Sequence, residues 1–316
     1  MENILNFGAW ADEDEDSDVD YLIMLHILND EDMLEHRANL YGRFLFDNLS
    51  NTECINFILL ALVDLQPLFG FSATIISKTC NEMLSLIYRN KEHLLNNLSQ
   101  VPYLNLIKLR HYSQAIREGG CPLQNCWGFI DGTARPICRP SINQQNYYSG
   151  HKRTHCVKYQ SVICPDGLII SLKGAYEGRR HDAGIFRESG LYQELEENVV
   201  FVGAGERFVL YGDQAYGLQE LLIRPYTEHE IGIDQLRQDF NNHMRVLRVS
   251  VEWGFGKILQ LFAFLDFKKN QKLLLQNVEA MYKVGMILTN CHTCLYGSET
   301  SAYFNVDPPA LEEYLG

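Results

Sequence analysis

Three acidic residues sit where their spacing invites chemistry. Asp131 closes the apolar run CWGFID, Asp213 follows Gly212 after the run RFVLY, and Glu252 lies among Val249, Val251, Trp253 and Phe255. An acid at the end of a short apolar run rides on the tip of a strand. If the two strands are neighbours, Asp131 and Asp213 emerge together at one edge of a sheet. Three carboxylates brought together repel and raise one another's pKa unless cations share them, and hard oxygen ligands suit Mg²⁺ or Mn²⁺. Two such cations, roughly 3.5 to 4 Å apart, would serve in-line displacement at a phosphodiester. Each acid also has a plainer reading. Asp before Gly is a common turn residue, and a Glu within a helix commonly pairs with an Arg such as Arg248. The weight comes from all three in one order of elements.

That order follows from periodicity and punctuation. From Cys121 onward the chain breaks into short apolar runs separated by Gly, Pro and Asp. CWGFID, HCVKYQSVIC and LIISLKGAY are predicted strands, the last two joined by a turn at Pro165-Asp166-Gly167. His181–Glu197 is predicted as a helix, Arg207–Tyr211 as a short buried strand, Met244–Phe267 as a long helix despite two glycines, and Asn277–Asn290 as a further helix. The order β-β-β-α-β-α predicts an α/β fold, a mixed sheet flanked by helices of the ribonuclease-H-like kind.

Upstream, residues 21–120 are predicted to be helical, with long apolar-periodic segments around residues 53–68 and 75–98. Gly70 to Thr74 offers a turn glycine and a capping hydroxyl at Ser72, the entry to the last helix of a helix-turn-helix-like region. Residues 1–20 read as an acidic, disordered leader, and residues 121–316 as the domain that carries the three acids.

Composition bounds the reading. The chain has 316 residues, 46% hydrophobic and 21% charged, so disorder of the whole is excluded. A net charge of −13 opposes binding to phosphate. Residues 1–100, however, hold 17 acidic and 5 basic side chains, a balance of −12, while residues 101–316 hold 23 and 22, a balance of −1. The acidity therefore lies away from the three acids. No stretch approaches the eighteen or so uninterrupted apolar residues of a membrane helix, and the first residues lack a secretory pattern, so a soluble intracellular protein is expected. Nine scattered cysteines suit reduced thiols. Cys291, His292 and Cys294 offer one CxxC with no second pair, a weak zinc signal.

The strings GFIDGTARPICRP, QNYYSGHKRTHCVKYQSV, PDGLI, EGRRHDAGIF, LYGDQAYGL and RVSVEWGFG closely resemble the DDE endonuclease domain of PIF/Harbinger transposases and their domesticated nuclease relatives. The resemblance runs in order from about Cys121 to Gly316. It implies that Asp131, Asp213 and Glu252 are catalytic and bind the metals, two divalent ions, Mg²⁺ or Mn²⁺. It also implies a DNA substrate, a separate Myb-like DNA-binding protein as partner, and residence in the nucleus, with the chain cytoplasmic until imported alongside that partner. Assembly into homo-oligomers stays open. Ahead of the acids, only the portion around LFGFSATIISKTCNEMLSLIY looks familiar, and the region is shorter than in relatives.

Further residues are candidates for the same site. His151, Lys152 and Arg153 precede a strand and could hold DNA phosphates, as could Arg179, Arg180 and Arg248. His181, Asp182 and Asn241 are expected near the site, Asp182 having a plainer reading as a helix cap. Arg248 is one helical turn from Glu252 and could orient it or contact phosphate. Lys257, Lys268, Lys269 and Lys272 could extend a positive track or form a solvated face. Two function classes follow: a metal-dependent nuclease or transposase that cuts DNA and joins ends, and a domesticated or decayed non-catalytic nuclear adaptor that keeps the fold.

Overall fold

The long apolar run that begins at Cys126 forms a strand that reaches past its acid. β1 spans Cys126–Pro136, β2 Thr154–Ile163, β3 Ile169–Glu177, β4 Val209–Tyr211 and β5 Leu222–Ile223. This computed structural model describes residues 72–262, 265, 271–273 and 275–316. The acidic leader, the expected helix at 53–68, Lys268 and Lys269 lie outside the described residues.

The strands form one mixed sheet in the order β3-β2-β1-β4-β5. β1, β2 and β3 run as an antiparallel meander, while β4 lies parallel to β1 and β5 parallel to β4. The β2–β3 turn closes at Pro165-Asp166-Gly167, with Gly167 at φ 84°, the left-handed region that glycine tolerates. Asp166 is fully buried there, its Oδ1 accepting from the Leu168 N–H and its Oδ2 from the Tyr112 hydroxyl.

Helices cover the sheet. α1 (Ala73–Lys91) begins at Ser72, whose side chain accepts from the Ile75 N–H, as its hydroxyl predicts. α2 (Leu106–Glu118) is capped by Asn105 and buries Leu109, Tyr112, Ala115 and Ile116. The helix predicted over His181–Glu197 is two helices, α3 (Asp182–Glu188) and α4 (Leu191–Asn198), because Gly190 takes φ 73° and turns the chain between them. α5 spans Gln235–Leu261, α6 Val278–Tyr296 and α7 Glu299–Phe304. No helix among the described residues is long and apolar enough to cross a membrane.

α5 begins nine residues before the predicted Met244. Its buried residues are Met244, Leu247, Ser250, Val251, Phe255 and Ile258, so the first turns have no apolar face to show in the sequence, and the Asp234 side chain, accepting from the Leu236 and Arg237 N–H groups, sets the start. Its two glycines do not break it. At Gly254 a Cβ would stand 2.5 Å from Cδ1 of Ile163 on β2, so the missing side chain lets helix and sheet approach closely. The buried apolar residues of β1 to β4 and of α1, α2, α5 and α6 join in one core.

Candidate active site

Register places the first two acids. β1 and β4 run parallel with Gly128 opposite Leu210 and Phe129 opposite Tyr211. Asp131 lies two residues beyond Phe129 on the same face of β1, Asp213 two residues beyond Tyr211, and the Asp213 carboxylate is near enough for its charge to raise the Asp131 carboxyl. β4 ends at Tyr211, whereas β1 continues to Pro136 because its other edge stays paired with β2, from Asp131 opposite Ser161 to Pro136 opposite Cys156. Asp131 is thus not a strand-terminal turn residue, as the sequence suggested. It lies mid-strand, where its parallel neighbour stops.

The Asp131 face lies under α5 and α7, where Phe129 stacks on Phe304 with ring centroids 6.1 Å apart. From α5, Arg248 Nη1 donates to Asp131 Oδ2 at 3.0 Å, and the Gly132 N–H donates to Oδ1 at 2.8 Å. Burial, and then the charges of Asp213 and Asp182, push the Asp131 carboxyl up to about 6 against the pull of Arg248 and the Gly132 N–H. Asp213 is half-buried, and its Oδ1 accepts from the Ala215 N–H at 2.9 Å, a local turn that fixes its side chain.

A third aspartate approaches from behind. Asp182 is the first residue of α3, but it does not cap that helix as its position suggested; the N-cap is His181, which makes no side-chain cap bond. Asp182 Oδ1 instead accepts from Lys158 Nζ at 3.1 Å, and Lys158 also donates to the Arg180 carbonyl at 2.7 Å. A Cβ at Gly132 would meet Asp182 Oδ1 at 3.3 Å and the Tyr216 hydroxyl at 3.6 Å, which explains why glycine follows Asp131. Tyr216 is fully buried and its hydroxyl accepts from Gln160 Nε2 at 3.3 Å. Lys158 and Gln160 escaped the sequence reading, although a lysine between Val157 and Tyr159 of an apolar strand was a signal.

Glu252 stands elsewhere. It is exposed and lines a cavity of about 350 Å³ with Ile169, Lys257, Gln260, Asn290 and Glu299. α5 crosses the sheet so that Arg248 lies over β1 while Gly254 lies against Ile163 of β2 and Ile169 of β3. Glu252 lies about 6 Å along the helix axis from Arg248, the residue that pairs with Asp131. Nor do its apolar sequence neighbours enclose it, since Val251 and Phe255 face the core while Val249 is 38% exposed. Arg248 pairs with Asp131 rather than with Glu252. Among the described residues no group of three His, Cys, Asp or Glu side chains is placed to hold a metal, which covers Cys291, His292 and Cys294 on α6 as well as the acids.

The cationic candidates scatter. His151, Lys152 and Arg153 are exposed on the turn that enters β2. Arg153 precedes Ser161, the partner of Asp131, by eight residues, roughly 26 Å along the strand. Arg179 pairs with Glu177 and Arg180 with Glu188, both at the surface near Asp182, and His181 is exposed. Asn241 ties the loop at Tyr226 to α5, accepting from its N–H at 2.9 Å and donating to its carbonyl at 2.8 Å, a structural role. Lys257 is part of neither a DNA track nor a solvated face. Half-buried, it donates to Thr293 Oγ1 and the Gly297 carbonyl, and burial pushes its ammonium down to about 8. Lys272 is exposed.

Comparison with known proteins bears on the family. Residues 130–290, just over half of the chain, match the profile of a family described as DDE superfamily endonuclease. A segment of 146 residues is 28% identical to a probable transposase for insertion sequence element IS702 from Microchaete diplosiphon. It covers 46% of this chain and 50% of that protein, so the chain spans about half the length of the relative it matches. No solved structure matches the chain.

Proposed function

The chain belongs to the DDE superfamily endonucleases, and from that premise we propose that it cuts phosphodiester bonds of DNA with divalent cations held first by Asp131 and Asp213. The observation that carries this reading is that the Asp131 carboxyl, just past the end of the β1–β4 pairing, is held up to about 6 by burial and by the charges of Asp213 and Asp182. The donor set fits Mg²⁺ or Mn²⁺: the oxygens are hard, and a cation between them relieves the same repulsion that lifts Asp131. The chemistry such cations supply is activation of a water or 3′-hydroxyl and stabilisation of the leaving oxygen.

This chain's own residues do the rest. The Gly132 N–H and the Ala215 N–H each fix one oxygen of an aspartate, while the other oxygen of Asp131 accepts from Arg248. Asp182, held by Lys158, adds negative charge behind Gly132. Glu252, one helical turn from Arg248, is the third acid of the proposed ligand set. In this reading the surface cations His151, Lys152 and Arg153, with Arg179 and Arg180, are donors to DNA phosphates outside the acidic site. The PIF/Harbinger kinship, strand transfer at transposon ends, a Myb-like partner and residence in the nucleus belong to the same proposal.

The outward placement of Glu252 favours a second reading, a non-catalytic nuclear adaptor that retains the fold. One assay separates them. With Mn²⁺ the purified protein nicks supercoiled DNA, and Asp131→Ala, Asp213→Ala and Glu252→Gln each abolish nicking while thermal melts stay cooperative. Absence of nicking by the unaltered protein with DNA bound supports the adaptor. Loss in both aspartate variants but not in Glu252→Gln removes Glu252 from the ligand set.

A further inference from the structure

Both oxygens of Asp131 are already engaged. Oδ1 takes the Gly132 N–H at 2.8 Å, a bond fixed by the strand, and Oδ2 takes Arg248 Nη1 at 3.0 Å. A cation that is to use Asp131 fully needs Oδ2, so a guanidinium stands where a ligand bond would form. Of the two donors only the arginine can leave, because it ends a long side chain while the amide is backbone. The Arg248 side chain is 27% exposed and that of Asp131 18%, so the arginine has the readier path to solvent. It reaches Asp131 through Nη1 alone. A phosphate at the mouth of the site offers the same guanidinium two parallel bonds, the stronger arrangement.

We infer that Arg248 is an internal counterion of Asp131 which a DNA phosphate draws off, so that metal loading and DNA binding are coupled through one guanidinium. The inference rests on the reading of this site as a metal-dependent nuclease. It makes Arg248 a positioning residue with two successive partners, an acid in the free protein and a phosphate in the complex. Coupling of binding equilibria is reciprocal, so DNA raises the affinity for the cation by the factor by which the cation raises the affinity for DNA.

The test measures binding rather than turnover. Free Mn²⁺ is followed by its electron paramagnetic resonance signal as it is titrated into the full-length protein, with and without excess short duplex, the uptake by duplex alone being subtracted. Three proteins are compared: the unaltered chain, Arg248→Gln, and Arg245→Gln, which removes an exposed charge on the same helix that does not touch Asp131. In the unaltered chain the duplex tightens Mn²⁺ binding about tenfold or more, the size expected when a charge-assisted hydrogen bond to the ligand is released. In Arg248→Gln, Mn²⁺ binds about that much more tightly without DNA, and the duplex adds little. Arg245→Gln behaves like the unaltered chain.

Equal tightening by duplex in all three proteins overturns the inference, because coupling then needs only the charge of DNA, and it leaves the metal site standing. Equal gains in Arg245→Gln and Arg248→Gln also overturn it, since any lost positive charge would then suffice. Failure of every protein to bind Mn²⁺, with DNA or without, overturns both the inference and the reading beneath it. Cooperative thermal unfolding in chelator for all three keeps a folding defect from imitating any of these results.

Discussion

Replacing Asp131 by Asn should give a protein that is harder to unfold and, on the function proposed above, one that does not cut DNA. In the folded chain the carboxyl is raised from 3.8 to about 6, chiefly by burial, with its side chain 18% exposed. A carboxyl raised on folding contributes most to stability while it is protonated in both states, below about 3.8. That contribution is lost as pH rises through 6. The full loss is about 3 kcal/mol, the shift multiplied by 1.36 kcal/mol per unit. Between pH 5 and pH 8 the part that remains to be lost is about 1.4 kcal/mol by the same linkage. Asn is close to the protonated acid in shape and cannot ionise, so Asp131→Asn lacks this dependence. Urea unfolding in chelator, at matched ionic strength, should show the variant more stable by up to about 3 kcal/mol at pH 8, with the gap narrowing toward pH 5. A variant less stable than the unaltered chain at pH 8, or a gap that does not change with pH, refutes the account of Asp131 as a carboxylate held at an energetic cost for its site.

Three further outcomes are expected. Gly254→Ala sets a Cβ 2.5 Å from Ile163 Cδ1 and should lower stability by about 1 to 3 kcal/mol, partly restored by Ile163→Val, as read from thermal melts. The Lys257 amine, pushed down to about 8 by burial, should titrate there by heteronuclear NMR, and in the pH range from 8 to 10.5 stability should rise with pH, because the unfolded chain then holds the extra proton. Removing Lys152 and Arg153 together should lower the slope of log binding constant against log salt by about 1.8 if both contact duplex phosphates, and an unchanged slope excludes them from the interface.

The three-strand meander was legible because its turn residues are explicit, and the strands that carry Asp131 and precede Asp213 because their apolar runs are, although the first continues past its acid to Pro136. The strand order needed for them to meet is a long-range pairing that local pattern does not encode. Glu252 was read as an acid surrounded by apolar neighbours, and it is exposed for a physical reason. Residues adjacent in a helix point about 100° apart, so Val251 inside says little about Glu252. The same holds at the start of α5, where Gln235 to His243 have no buried stripe and only Asp234 marks the boundary. Asp182 looked like a cap because caps are local, while Lys158, its actual partner, is 24 residues away in sequence. Arg248 was expected beside Glu252 at helical spacing, and a cross-sheet partner, Asp131, holds it instead.

The buried turn carboxylate at Asp166 bears on how the chain can be divided. Its partners Tyr112 and Lys108 both belong to α2, with the lysine ammonium 3.8 Å away. A protein trimmed to begin at Cys121 would keep every catalytic candidate yet lose the phenol and the cation that hold Asp166, and would lay bare the apolar surface that Leu109, Tyr112, Ala115 and Ile116 cover. Exposing several large apolar side chains costs several kcal/mol, an appreciable share of what keeps a domain folded. The helices upstream of the sheet therefore work as a buttress, and excising the nuclease portion at that point weakens the scaffold even though it removes none of the residues that would meet DNA.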